Sequence, residues 1–207
     1  NFDSKHVKNV VLVGHTGSGK TTLTESMLFE AGLINRRGTI LDKNTVADYT
    51  DIEHEKGKTF FSKLVYTKWK DYKINLLDTP GYDDFAGEII GAMRVADCGL
   101  MLLNSAMGVE VGTDIIWTYT DEYKLPMLLA VNHLDNEKSD FDKTVREAKA
   151  HFGNNVVVVQ YPVNQGEKFD TIVDVINMVM YKYPAEDGKP EKLPIPDSEK
   201  EKANQLH

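Results

Sequence analysis

Short apolar runs recur along the first three quarters of the chain, and segments of a different periodicity separate them. The runs have the length of buried parallel strands and cover 10–13, 74–77, 98–103, 127–131 and 156–159. Several of the segments between them place apolar residues three and four positions apart, which is typical of amphipathic helices. This alternation predicts an α/β domain with a mainly parallel sheet and helices on both faces.

The helical segments and one exception to the alternation are well delimited. Helices are predicted over 20–32, 87–96, 113–123 and 141–152, and the first of them closes on Gly32, a suitable C-cap. Residues 63–77 break the alternation, because "TKWKDYK" is too short for a helical crossover. They predict a hairpin that adds one antiparallel strand to the sheet.

Two stretches depart from the regular pattern. Residues 33–62 carry little periodicity and many polar residues, and a loop of that length inside a compact domain is usually functional. After residue 153 the pattern predicts a strand, a turn and a helix over 160–183, then an irregular or edge-strand connection, then a final helix from residue 197. We therefore expect a main domain over 1–153 and the beginning of a smaller α+β subdomain over 154–207.

Composition narrows the class of protein. Of 207 residues, 32 are acidic and 24 basic, so the formal charge is −8 and no broad nucleic-acid-binding face is implied. A single cysteine excludes an internal disulfide framework, and no apolar run approaches the roughly 20 residues that cross a bilayer. We expect a cytoplasmic, monomeric chain without a membrane partner. Because it starts at Asn1, the sequence is expected to be a piece with uncertain native ends.

The strongest motif is "GHTGSGKT" over 14–21, placed between a predicted strand and a predicted helix. Backbone N–H groups of such a loop point at phosphate oxygens, Lys20 supplies charge to the β and γ phosphates, and the Thr21 hydroxyl can ligate Mg²⁺. The motif predicts a phosphate-binding loop. The predicted nucleotide contacts in and beside it are Gly14, His15, Thr16, Gly17, Ser18, Gly19, Lys20, Thr21 and Thr22.

Two further motifs follow predicted strands. In "DTPG", Asp78 at a strand end is well placed to hold Mg²⁺ through water, and Gly81 lets its N–H approach a γ-phosphate. In "NHLD", Asn132 can use its amide at the O6/N7 edge of guanine, while the Asp135 carboxylate can accept from N1–H and N2–H₂, a pairing that adenine cannot offer. Either motif alone also fits an ordinary turn. Their order behind the phosphate-binding loop favours a guanine-nucleotide site.

Together with "EKGKT" over 55–59, these motifs resemble the translational GTPases, and the similarity is greatest to the elongation factor G family. Residues 44–62 resemble the first switch of that family, 78–114 its second switch and following strand, and 160–183 with 193–197 the start of its insert in the G domain. The resemblance implies a P-loop GTPase fold with switch I at about 33–62 and switch II at about 78–90. It also implies that the family's last guanine-contacting element lies beyond His207.

The resemblance further implies cofactors, partners and residue roles. It implies binding of GTP or GDP with Mg²⁺, and a ribosome partner reached through a longer protein, with a nucleotide exchange or regulatory factor as a further partner. Thr59 would complete the Mg²⁺ shell with Thr21 and Asp78, and Gly81 would sense the γ-phosphate. The Glu and Lys residues around Thr59 are expected on a solvated face.

The chain departs from the family pattern at several positions. Thr16 and Lys58 stand where apolar residues would gate the attacking water, Tyr82 stands where the family carries its catalytic histidine, and His133 replaces a lysine that packs on the base. A phenol, with a reference pKa of about 10, cannot become a cation near neutral pH. The sequence therefore favours Mg²⁺-dependent binding with slow or differently organised hydrolysis, in which Lys20 and Gly81 assist.

Three functions stay open at this level. The first is an enzyme that hydrolyses GTP on the ribosome during translocation, with Tyr82 ordering the water through its hydroxyl. The second is a GTP switch with little hydrolysis, acting in translocation, recycling or ribosome protection. The third, a P-loop ATPase or kinase, is disfavoured because Asn132 and Asp135 fit guanine.

Overall fold

The computed structural model describes residues 2–47, 50–56, 58–81, 86–184 and 188–207. Tyr82, on which the hydrolysis prediction turns, lies outside them. The chain divides into two compact units, one made of 1–103 with 110–130 and the other of 104–109 with 131–207. This division follows packing and places 131–153 with the later residues. The domain boundary at residue 153 stays a prediction.

The first sheet has five strands in the order β2-β3-β1-β4-β5. The strands are β1 (Val7–Gly14), β2 (Lys63–Trp69), β3 (Tyr72–Asp78), β4 (Cys98–Asn104) and β5 (Met127–Asn132). Strand β1 pairs in parallel with β3 and β4, and β2 pairs antiparallel with β3. The predicted mainly parallel sheet with one antiparallel hairpin is confirmed. Its register sets Asp78 beside Leu12, just before the phosphate-binding loop begins.

Apolar residues are buried on both faces of this sheet. On one face Leu12, Leu76 and Leu102 form a cluster with Leu23 and Met27. The alternate positions of β1 and β4 are buried as well, because side chains alternate between faces and helices cover both. These buried residues are Val11, Val13, Met101 and Leu103.

Six α-helices and one short 3₁₀ helix (Ser4–His6) are assigned in the described residues. The α-helices are α1 (Lys20–Glu30), α2 (Asp51–Lys56), α3 (Ala86–Met93), α4 (Val111–Glu122), α5 (Phe141–Phe152) and α6 (Asp197–Leu206). Helix α5 has the predicted bounds, and the chain leaves α1 through Gly32 in the left-handed region at φ 67°. Helix α2, inside the long polar loop, was not predicted. None of the described helices has both the length and the apolar character needed to cross a bilayer.

The second unit contains a four-stranded antiparallel sheet with α5 and α6. Its strands are β6 (Gln160–Pro162), β7 (Thr171–Asp174), β8 (Val179–Lys182) and β9 (Glu191–Leu193), in that order. The hydrophobic core of this unit contains residues from its strands, its helices and the connection before α6. They include Phe141, Tyr161, Val173, Ile195 and Ala203. An α+β unit with an edge strand near residue 192 agrees with the prediction.

Two predicted elements of this unit are wrong. The helix expected within 160–183 is a hairpin of β7 and β8, because Asp174 accepts from the Asn177 backbone N–H at 2.9 Å and closes a turn. The strand expected over 156–159 is irregular, and Val157 is 75% exposed. That apolar run only leads into β6, and Val159 accepts one hydrogen bond from the Val175 N–H.

Candidate nucleotide-binding site

Three glycines shape the loop between β1 and α1. Gly14, Gly17 and Gly19 have φ values of 145°, 80° and 96°, which L side chains rarely adopt. A Cβ at Gly14 would lie 2.6 Å from the Leu102 carbonyl oxygen, whereas a Cβ at Gly17 would meet no atom within 4 Å. The loop is therefore packed tightly against β4 at its start and open at Gly17.

Lys20 begins α1 with its ammonium held by the same loop. Its Nζ donates to the backbone oxygens of Gly14 and His15, each at 3.0 Å, and the residue is only 6% exposed. The buried cation is thus held against the loop at the N-terminus of α1, where backbone N–H groups and the helix dipole favour an anion. Of the neighbouring predicted contacts, Ser18 and Thr21 are buried and Thr22 is exposed.

His15 makes a side-chain contact that the motif does not specify. Its Nε2 lies 3.4 Å from an Oε1 of Glu110, the residue that precedes α4. The phosphate-binding loop is therefore braced on one side by a carboxylate from a distant segment of the same unit.

The predicted Mg²⁺ ligands include two hydroxyls in contact. The Oγ1 atoms of Thr21 and Thr59 lie 3.1 Å apart, so the long loop reaches the first turn of α1. Asp78 is fully buried at the end of β3, and the next residue, Thr79, donates its hydroxyl to the Leu12 carbonyl at 2.6 Å. Hydroxyl and carboxylate oxygens are the hard ligands that Mg²⁺ prefers. The donor set fits that ion.

Gly81 lies against a residue that departs from the family pattern. A Cβ on Gly81 would be 2.1 Å from Thr16 Oγ1 and 2.8 Å from Thr16 Cα, so only glycine fits. The structure therefore packs the predicted γ-phosphate sensor against the Thr16 side chain. Lys58, the other altered gate position, is exposed.

Glu25 anchors the first part of the long loop to α1, a role that the motifs did not indicate. It is 1% exposed and its carboxylate accepts from the Gly38 N–H at 3.0 Å and from the Val46 N–H. The sequence did contain a signal for this role. Glu25 lies four residues after Thr21, and it is therefore on the same face of the helix as that predicted Mg²⁺ ligand.

Glu53 anchors the second part of the loop. It is 1% exposed, forms a 2.9 Å ion pair with Lys63 and accepts from the Thr50 hydroxyl at 2.6 Å. The backbone N–H groups of Phe60 and Phe61 donate to the same carboxylate at 3.0 and 3.3 Å. The expectation of a solvated face holds for the exposed Glu and Lys neighbours of Thr59 but is wrong for Glu53.

These contacts change the acidity of Glu53. Burial by itself raises the pKa of the carboxyl, but the hydrogen bonds and the Lys63 ammonium outweigh it and lower the pKa from 4.5 to about 2. The carboxylate is therefore charged at every physiological pH. It fixes the backbone that directly follows Thr59.

Asn132, His133 and Asp135 belong to the second unit, in a segment we call the base-side turn (132–135). Ser105 holds it twice, because its N–H donates to the Asn132 carbonyl at 2.9 Å and its hydroxyl to the His133 carbonyl at 2.7 Å. His133 has a positive φ of 59°, which is uncommon for a residue other than glycine. The motif did not reveal Ser105, which lies in a different sequence segment.

Asp135 is exposed at the end of the base-side turn. Among the described residues, no hydrogen bond or ion pair engages its carboxylate. The side chain that the sequence assigns to the guanine edge is thus available to a ligand.

Comparisons with known proteins agree with the motifs. The family model described as the elongation factor Tu GTP binding domain matches residues 5–187. The "Elongation factor G-like protein" of Thermotoga maritima is 34% identical over 92% of this chain and 27% of its own length. Elongation factor G of Mycoplasma pneumoniae is 32% identical over 99% of this chain and 30% of its length. The mitochondrial ribosome-releasing factor 2 of Drosophila yakuba is 39% identical over 84% of this chain and 25% of its length.

A solved structure is similar over nearly the whole chain. The crystal structure of a Thermus thermophilus protein superposes with a TM-score of 0.90 at 33% identity, and covers 97% of this chain and 30% of that one. The chain therefore spans between a quarter and a third of the length of these relatives. It belongs to the family of the elongation factor Tu GTP binding domain, and over most of its length it is similar to the corresponding part of elongation factor G and of an elongation-factor-G-like protein.

Proposed function

We propose that this domain binds Mg²⁺-GTP and hydrolyses it to GDP. The observation that carries the proposal is the phosphate-side arrangement of the first unit, where a buried Lys20 ammonium lies on the loop backbone and the Thr21 and Thr59 hydroxyls meet at 3.1 Å. Lys20 would neutralise the β and γ phosphates. Gly81 would report the γ-phosphate through its N–H.

Mg²⁺ would be held by Thr21, Thr59 and Asp78 together with phosphate oxygens. The ion would neutralise charge that develops on the phosphates during transfer. The protein's own part is to bring the two hydroxyls together, and the anchoring of the long loop by Glu25 and Glu53 serves that purpose.

On the base side, Asn132 and Asp135 would select guanine. An Asp135→Asn variant tests this, because its amide would present a donor where xanthine carries an oxygen and guanine carries an amino group. The wild-type chain should prefer GDP over XDP, and the variant should reverse that order. Glu137→Gln, two residues on and also exposed, is the matched control and should leave the preference unchanged. If the variant still preferred GDP over XDP, the assignment of Asp135 to the base-binding site would be wrong.

For hydrolysis we propose that Tyr82 orders the attacking water while Thr16 and Lys58 form an altered gate. Phosphoryl transfer depends mainly on positioning and charge stabilisation, so a phenol hydroxyl can replace an imidazole at reduced rate. Single-turnover hydrolysis with and without ribosomes is the test, with Tyr82→His as the comparison. A Tyr82→His variant that is faster than wild type supports the proposal, and equal rates contradict it.

A second candidate function is favoured by the contact between Thr16 and Gly81. A hydroxyl packed on the γ-phosphate sensor would change the place of the attacking water, and the domain would then act as a GTP switch with little turnover. In that case the full-length protein would bind ribosomes with a non-hydrolysable GTP analogue, and it would convert GTP to GDP slowly even when ribosomes are present.

The ribosome is the proposed partner of the longer protein, and translocation is the proposed step, with recycling or ribosome protection as alternatives. Elongation factors and a ribosome-releasing factor are among the relatives, which supports a role in translation. A nucleotide exchange or regulatory factor is a further proposed partner. Cytoplasmic location, a monomeric state and a G domain over 1–153 complete the proposal.

A further inference from the structure

The β2–β3 hairpin exposes lysines interleaved with aromatic rings. We call Tyr66, Lys68, Trp69, Lys70 and Lys73 the lysine–aromatic tip. Trp69 is 59% exposed and Tyr66 is 43% exposed. The Lys70 ammonium lies 4.2 Å from the Trp69 ring centroid, and the Lys73 ammonium lies 4.9 Å from that of Tyr66. The rings are thus accessible and have cations beside them.

The charges of this tip are not balanced by the protein. Lys68 and Lys73 are direct cross-strand partners, an arrangement that is destabilising for like charges. Among the described residues, no carboxylate lies within 4.0 Å of the Lys68, Lys70 or Lys73 ammonium. The one acidic residue of the turn, Asp71, lies 3.2 Å from His6 Nε2. A chain of net charge −8 therefore carries a local positive surface that a polyanion would stabilise.

Lys70 also has an unfavourable backbone conformation. Its φ is 54°, and for a residue with a Cβ such a conformation costs on the order of 1–2 kcal/mol. Glycine or asparagine would adopt it at lower cost. A lysine at this position therefore places a cation at the tip at the expense of stability.

We propose that the lysine–aromatic tip binds a single-stranded nucleic-acid segment that crosses the turn of the hairpin. Phosphates would lie at Lys68 and Lys73 on one face, and at Lys70 beside a base stacked on Trp69 on the other. Exposed rings flanked by cations are the recurring platform for unpaired bases. An acidic peptide would use the lysines but leave the rings without a stacking partner. An anionic lipid surface would accommodate the rings, but such an extended surface would repel the rest of a chain of net charge −8. None of these residues belongs to the candidate nucleotide site, so the inference stands apart from the proposed function.

The salt dependence of binding follows from the number of lysines. Single-stranded binding loses affinity with a slope of about −0.7 per neutralised phosphate in a plot of log K against log salt. Three lysines predict a slope of about −2, and removal of one should bring it to about −1.4. A stacked base predicts that Trp69→Ala weakens binding by about tenfold.

The test uses the whole chain and fluorescence anisotropy with labelled oligouridylate of about 12 nucleotides, a length within the usual site size. Lys70→Asn should weaken binding by about threefold and lower the salt slope, while it raises the melting temperature by relieving the strained φ. Lys124→Asn is the matched control, because Lys124 is an exposed lysine with a φ of 50° at the end of α4. It should raise the melting temperature and leave nucleic-acid binding unchanged.

A second readout reports the stacked base. In a Trp117→Phe background Trp69 is the sole tryptophan, and its fluorescence should fall as oligouridylate binds. Binding of oligodeoxythymidylate of equal length, compared with that of oligouridylate, shows whether the tip prefers RNA or DNA. The proposal is overturned if Lys70→Asn and Lys124→Asn bind alike, or if phosphatidylserine vesicles bind the tip while both oligonucleotides fail to.

Discussion

Replacement of Glu53 by glutamine is the sharpest perturbation of the long loop. The substitution keeps the shape of the side chain, but it replaces one acceptor oxygen by an NH2 donor and removes the negative charge that pairs with Lys63 at 2.9 Å. Both side chains are buried, so the Lys63 ammonium would keep no counter-charge from Glu53. Breaking a buried ion pair on one side typically costs about 3–5 kcal/mol.

The pKa of Glu53 gives an independent magnitude. A fall from 4.5 to about 2 corresponds to about 3 kcal/mol of stabilisation, at 1.36 kcal/mol per unit. Because the folded-state pKa is depressed, this contribution is complete above pH 4.5 and is lost as the pH falls towards 2. By pH 3 more than half of this contribution should be lost, a loss of roughly 2 kcal/mol.

Urea unfolding followed by tryptophan fluorescence measures this effect. Trp69 and Trp117 both lie in the first unit, as does Glu53, so the signal reports the unit under test. We expect Glu53→Gln to lower the free energy of unfolding by about 3–5 kcal/mol at pH 7, and the difference from wild type to shrink between pH 5 and pH 3.

Glu55→Gln is the matched control, because Glu55 lies two residues away on the same helix and its ion pair with Lys56 is exposed. It should change stability by less than about 0.5 kcal/mol. The account of the loop would be wrong if Glu53→Gln cost less than about 1 kcal/mol at pH 7, or if its cost were the same at pH 7 and pH 3.

Three further predictions concern other parts of the molecule. Gly81→Ala should abolish nucleotide binding measured by calorimetry, because the new Cβ collides with Thr16, while Gly87→Ala, which meets nothing within 4 Å, should retain it. Ser105→Ala should weaken GDP binding about tenfold in the same assay, because the base-side turn loses a hydroxyl donor to its backbone. Tyr161, whose pKa burial and a neighbouring carboxylate raise to about 12, should stay protonated at pH 11 in an ultraviolet absorbance titration.

The parts of the fold that were predicted correctly rest on strong local signals. Helix α5 was delimited because its apolar positions follow the helical period. The β2–β3 hairpin followed from a connection too short for any crossover. The phosphate-binding loop was found because its glycines are needed at positive φ, which leaves a visible pattern in the sequence.

The parts that were missed have two causes, a local turn in one case and a contact made only in the folded chain in the other. Residues 171–182 have apolar positions that suit either a helix or a hairpin, and the Asp174–Asn177 turn decides between them. Glu53 and Lys63 are ordinary charged residues in the sequence, and only the folded chain brings them together in a buried pair. Nothing local marks such a partnership.

Guanine-selective binding is the central claim, and calorimetric titration of this chain with GDP, a non-hydrolysable GTP analogue and ADP, each with and without Mg²⁺, tests it most directly. The account predicts binding of both guanine nucleotides, tighter binding of the GTP analogue when Mg²⁺ is present, and no measurable binding of ADP. Equal binding of ADP and GDP would contradict the assignment of Asn132 and Asp135. If the GTP analogue bound with the same affinity with and without Mg²⁺, the metal site proposed at Thr21, Thr59 and Asp78 would be contradicted.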